Sequence, residues 1–152
     1  MSVVRRAVAS DADAVFGLVR QLGASFVPVR TAFDDSFAAI IASVEPVGLS
    51  GTGLSDDLLL LVAENPDGHV QGYALTTIAR LLSTNGLSAQ LQEIAVDEAA
   101  RGFDLGTALV HEVEAECIRR GVRQLTVAAR RAGGFYDRLG YSQNAEYMRR
   151  TF

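Results

Sequence analysis

The residues best placed to do chemistry sit in one turn, Arg101-Gly102-Phe103-Asp104-Leu105-Gly106-Thr107. A segment that reads as a strand precedes it, Leu91-Gln92-Glu93-Ile94-Ala95-Val96, and a helix opens at about Asp104. Glycines free the backbone N–H groups of such a turn to face a ligand. The start of a helix adds unpaired donors and the positive end of its dipole, so the arrangement attracts phosphate. Read from its residues alone, this turn holds a pyrophosphate.

The other reactive side chains read as structural. Cys117 falls on the apolar face of the helix after the turn, with no basic partner indicated, and is a core thiol. His69 lies beside a turn and His111 between helix charges, so both are solvated. No His, Cys, Asp or Glu spacing matches a metal site, so none is expected. One cysteine excludes an internal disulfide and fits a reducing cytoplasm.

The totals exclude whole classes of partner. A formal charge of −4 gives no overall basic field for nucleic acid. The chain has 14 arginines and no lysine, a pattern that coding bias explains. No apolar run approaches the roughly 18–20 residues of a membrane helix. The opening Met1-Ser2-Val3-Val4-Arg5-Arg6 lacks the apolar core of a signal peptide. With 152 residues and 49% hydrophobic content, one domain spanning residues 1–152 with a real core is expected.

The elements that must position the turn can be taken in order. Val3–Val8 suits a first strand. A helix over about Asp11–Leu22 carries Val15, Leu18, Val19 and Leu22, capped by Ser10 or Asp11 and stopped by Gly23. A second helix begins near Asp34 or Asp35, carries Phe37, Ile40, Ile41 and Val44 on one face, and ends at Pro46. Residues Gly48 to Asp57 read as a solvated connector or a lid. Leu58–Glu64 is a central strand. Asn65-Pro66-Asp67-Gly68 and Asn85-Gly86 are turns that make two hairpins leading into Leu87–Val96. The helix from about Asp104 to Arg120 buries Leu109, Val110, Val113 and Cys117, and Gly121 ends it. Gln124–Ala128 is a parallel strand beyond it, Phe135–Gly140 a short helix, and Ser142–Phe152 a last extended segment. The expected order is β-α-α-β-β-β-α-β-α-β, an α/β (α+β) fold with a mixed central sheet flanked by helices.

Two motifs at this separation resemble the GNAT superfamily of acyl-CoA-dependent N-acyltransferases. The first is Ile94-Ala95-Val96 followed by Arg101-Gly102-Phe103-Asp104-Leu105-Gly106, against a family pattern Arg/Gln-x-x-Gly-x-Gly/Ala. The second is Phe135-Tyr136-x-x-Leu139-Gly140-Tyr141, similar to Phe-Tyr-x-x-x-Gly-Phe/Tyr. The element order agrees over nearly the whole chain. The resemblance implies an acetyl-CoA-dependent N-acetyltransferase in which an amine attacks the thioester directly in a ternary complex. The N–H groups of about Phe103 to Thr107 would wrap the CoA pyrophosphate. The backbone of Ile94 and Val96, with Ala95 between, would pair with the pantetheine arm as a strand does. Arg101 and Gly102 open the same loop.

By the same resemblance Tyr136 is the general acid for the departing thiolate, with a core-lining aromatic as its alternative. Glu93 is the base acting through water, with a structural carboxylate as its alternative; Leu91 and Ala95 are expected to share its face. Asp104 stands where the family has glycine. It is either a helix cap pointing away from the ligand or a charge that weakens CoA binding. Ala129 replaces a common asparagine, and Arg130 or Arg131 either meets a phosphate or is solvated. The expected partners are acetyl-CoA and an amine acceptor, a small molecule or a peptide, with no metal, no nucleic acid and no membrane. A homodimer through Glu146–Phe152 is a further implication. The alternative activity is a non-catalytic acyl-CoA-binding regulatory or sensor module.

Overall fold

A computed structural model describes residues 2–23, 25–44, 58–129 and 134–152. Its framework is one five-stranded sheet in the order β1-β2-β3-β4-β5. The strands are β1 (Val3–Arg6), β2 (Leu58–Glu64), β3 (Val70–Leu81), β4 (Gly86–Val96) and β5 (Gln124–Val127). The first four pair antiparallel and β5 joins β4 in parallel, so the sheet is mixed. The helices are α1 (Ala12–Gln21), α2 (Arg30–Val44), α3 (Leu105–Arg119) and α4 (Phe135–Arg138).

The sheet is covered on both faces, which is why β2 is apolar almost without alternation. On one face Leu60, Val62, Tyr73 and Ala95 pack with Val15 and Leu18 of α1 and Phe37 of α2. On the other, Leu59, Leu61, Ala74, Ile78 and Leu91 pack with Leu105, Leu109, Val110, Val113 and Cys117 of α3. The helical spacing of the α3 residues therefore marks a real buried face, and Cys117 is a core thiol whose burial pushes its titration upward.

The hairpins follow their turn chemistry. Asn65 Oδ1 accepts the N–H groups of Asp67 and His69 at 3.0 and 2.9 Å, and Asn85 takes a left-handed φ of 58° before Gly86. Both His69 and His111 are exposed.

Four local expectations are corrected. Asp11 does not cap α1 with its side chain; its carboxylate turns back to the Val8 N–H at 2.8 Å and to the Arg5 guanidinium. α2 begins at Arg30, earlier than Asp34, because Arg30 is tied to Asp34 and to Asp13 of α1 and stacks over Phe16 and Phe33. β1 ends at Arg6, short of Val8. No last strand forms: Ser142–Phe152 is exposed throughout and has no ladder partner, since its polar start offers no face to bury. Pro46, the connector over 48–57, and Arg130 and Arg131 lie outside the described residues. Among the described residues no helix is long and apolar enough to cross a membrane.

Candidate functional site

The site arises because β4 leaves β5 early. The two pair from Ser88↔Gln124 to Leu91↔Val127 and no further. At that point one residue is inserted into β4. Leu75 and Thr76 are consecutive on β3, yet their partners are Glu93 and Leu91, so Gln92 is an unpaired bulge. A bulge bends and twists its strand. Residues 93–96 then run on against β3 alone.

This leaves backbone groups open on one side. The Asp97 N–H donates to the Gln71 carbonyl of β3 at 2.8 Å. Antiparallel ladders alternate, so Ala95 and Asp97 direct their groups to β3 while Ile94 and Val96 direct theirs away from it. On that side no strand lies among the described residues. Arg101 Nε donates to the Val96 carbonyl at 3.1 Å, which ties the turn to the strand end.

The turn is built by short-range hydrogen bonds. Asp97 Oδ1 accepts the Ala99 N–H at 2.9 Å, Gln21 Oε1 of α1 accepts the Glu98 N–H at 3.1 Å, and Ala100 is buried. Gly102 and Asp104 have φ of 90° and 59°, two left-handed residues within three. The first residue of α3 to bond back is Ala108, to the Asp104 carbonyl at 3.0 Å. The N–H groups of Leu105, Gly106 and Thr107 therefore have no partner among the described residues, as a helix start requires. The Leu105 side chain points into the core and that of Phe103 is exposed.

Asp104 occupies the N-cap position without acting as a cap. Its left-handed backbone makes no side-chain capping hydrogen bond. This corrects the capping expectation: the residue fills a glycine position at the cost of strain, with an exposed carboxylate near the helix start. Asp104→Gly is expected to raise stability by about 0.5–1 kcal/mol, visible as a thermal midpoint about 1–3 °C higher.

Glu93 and Tyr136 lie on opposite faces of the sheet. Glu93 accepts a 2.9 Å hydrogen bond from the hydroxyl of Tyr73, a residue of the α1–α2 face. Leu91 does not share that face, contrary to the alternation of the sequence, because the bulge at Gln92 swaps the sides; Leu91 packs under α3. Ala95 does share it. Tyr136 packs at the edge of the α3 cluster, against Phe135 and Tyr141 in tilted ring pairs 5.0 and 5.7 Å apart. Tyr141 donates to Glu114 at 3.2 Å, but the Tyr136 hydroxyl has no partner among the described residues. Burial pushes its titration up, so it stays protonated at neutral pH. The Phe135 ring closes over the helix start: a Cβ on Gly106 would lie 3.5 Å from it.

Residues 56–143, more than half of the chain, match the family model described as an acetyltransferase (GNAT) domain. The chain belongs to the GNAT acetyltransferase family. Solved structures agree on the fold of this GNAT chain. It is similar to glucosamine-6-phosphate N-acetyltransferase from Arabidopsis thaliana, with a TM-score of 0.80 and 22% identity over 100% of this chain and 99% of that one. It is also similar to a transcriptional regulator from Bacillus halodurans C-125, with a TM-score of 0.81 and 20% identity over 100% of both chains. An acetyltransferase from Trypanosoma brucei matches at a TM-score of 0.78 and 17% identity, again over 100% of both. No curated protein matches the sequence.

Three features around these residues are not readable from the sequence: the Gln92 bulge, the Tyr73 hydroxyl on Glu93 and the Gln21 brace. No sequence signal marks the first, and without it the register does not bring the second to Glu93. Gln21 reaches the turn from 77 positions away, which local pattern cannot reveal.

Proposed function

We propose that this chain is an acetyl-CoA-dependent N-acetyltransferase that joins its two substrates in a ternary complex. The observation that carries the reading is the continuity of two open sets of backbone groups. The open side of Ile94 and the Val96 N–H, beside a Val96 carbonyl already held by Arg101 Nε, leads through the Arg101–Asp104 turn to the free N–H groups of Leu105, Gly106 and Thr107. An amide-bearing arm ending in a pyrophosphate fits that run, since a strand edge takes amides and a helix start takes anions. The Arg101 guanidinium adds a positive charge at the turn, and Asp104 a negative one.

Glu93 takes a proton from the acceptor ammonium, directly or through water, which frees the nitrogen lone pair. The nitrogen then attacks the thioester carbonyl; a C–N bond forms and the C–S bond breaks. Tyr136 gives its hydroxyl proton to the departing sulfur. The nitrogen's second proton, lost as the amide forms, balances that one. The acidic chain, of net charge −4, favours a cationic amine over a polyanion. The exposed apolar side chains of Tyr147, Met148 and Phe152 support a homodimer contact in the last segment. The lack of a membrane-crossing helix among the described residues is compatible with a cytoplasmic enzyme.

The test is a panel of amines with acetyl-CoA, followed by release of free thiol. Amine-dependent thiol release with an acetylated product supports the enzyme. Binding of acetyl-CoA with no turnover of any amine supports the non-catalytic acyl-CoA-binding module instead.

A further inference from the structure

We propose that Tyr73 is a positioning residue that fixes one oxygen of Glu93 and leaves the other open to the acceptor. This rests on the reading of Glu93 as the base. Tyr73 is 1% exposed, within the cluster formed by Val15, Leu18, Phe37 and Val62. A purely packing role at such a position is filled by phenylalanine, because a buried hydroxyl costs stability unless it is bonded. Here the hydroxyl has one partner, Glu93 Oε1, at 2.9 Å. Oε2 has none among the described residues.

The pair exists only because of the bulge. Beyond it Tyr73 pairs with Ala95 and Leu75 with Glu93, which puts Tyr73 and Glu93 on one face as diagonal neighbours. Were Gln92 paired with Leu75 in the register of Thr76↔Leu91, with no bulge, Glu93 would fall opposite Ala74, on the face covered by α3. The residue that parts β4 from β5 therefore also turns Glu93 toward Tyr73. Burial, then the nearby Glu93 charge, pushes the phenol's titration up. The hydroxyl thus keeps its proton, which it donates to Glu93. A side chain with several free torsions is thereby held with one oxygen occupied and one presented.

Tyr73→Phe, Glu93→Gln and the double variant are compared with the parent chain, using acetyl-CoA and the best amine of the panel. Tyr73→Phe is expected to lower kcat about tenfold with the acetyl-CoA KM unchanged. In the Glu93→Gln background the same change is expected to cost nothing further, since the group it positions is gone. A merely structural role would move stability equally in both backgrounds and would add to the loss. Full kcat in Tyr73→Phe, beside a disabled Glu93→Gln, overturns the positioning role alone. So does an additive loss in the double variant. Full kcat in Glu93→Gln, or no turnover of any amine by the parent chain, overturns the base reading beneath it.

Discussion

Tyr136→Phe is expected to lower kcat about 10²-fold while leaving the acetyl-CoA KM and the thermal midpoint nearly unchanged. General acids contribute about 10²–10⁴ in rate, and the lower end applies where water can deliver the proton in part. The expectation of intact stability follows from the hydroxyl itself. It has no hydrogen-bond partner among the described residues, and the ring contacts with Phe135 and Tyr141 survive in phenylalanine. Removing it therefore orphans no group. Burial places the phenol's titration above its ordinary value of about 10. The parent enzyme should accordingly keep its activity through the mildly alkaline range in which amines become free base. Steady-state kinetics against pH is the check. Unchanged turnover across pH, with an amine that the parent accepts, removes Tyr136 from the mechanism.

The second large effect concerns stability. Arg5→Ala is expected to destabilise the fold by about 3 kcal/mol at neutral pH. Arg5 joins β1 to the start of α1 and to β2: it meets both oxygens of Asp11, at 2.8 and 3.0 Å, and Glu64 at 2.8 Å. The Asp11 side chain is only 7% exposed, so removing its partner strands a buried carboxylate; Arg5 at 32% exposed keeps the cost toward the low end for buried pairs. Burial alone would raise the Asp11 carboxyl. The Arg5 hydrogen bonds, the Val8 N–H and the Arg5 charge outweigh it and hold the group below its ordinary range. A carboxyl lowered by folding contributes stability above its unfolded value of about 3.9 and loses it as pH falls through that value toward the folded one. The gap between parent and variant should thus be full at pH 7 and shrink below about pH 4. Urea unfolding at several pH values measures it. A gap that is small at pH 7, or that widens in acid, contradicts this account of Asp11.

The sequence carried the framework where a signal repeats. α3 declared itself through Leu109, Val110, Val113 and Cys117, and both hairpins through Asn65–Gly68 and Asn85-Gly86. The turn into α3 was legible because glycine and a helix start are local features. What escaped was set by tertiary contacts. Arg30 starts α2 early by reaching Asp13 and two phenyl rings. Asp11 looked like a cap but is claimed by Arg5. Alternation placed Leu91 beside Glu93, and a single inserted residue undid it. The last segment shows the reverse case, where a chain expected to be extended has no strand to pair with.

The central claim is that the open edge of Ile94 and Val96, with the turn into α3, forms a seat for acetyl-CoA. Isothermal titration with acetyl-CoA, CoA, ATP and NAD, on the parent chain and on Asp104→Gly, tests it most directly. Saturable binding is predicted for the two CoA species alone, and Asp104→Gly, which removes a negative charge near the helix start, should bind them several-fold more tightly. Equal binding of ATP or NAD, or no heat with either CoA species, would contradict the account.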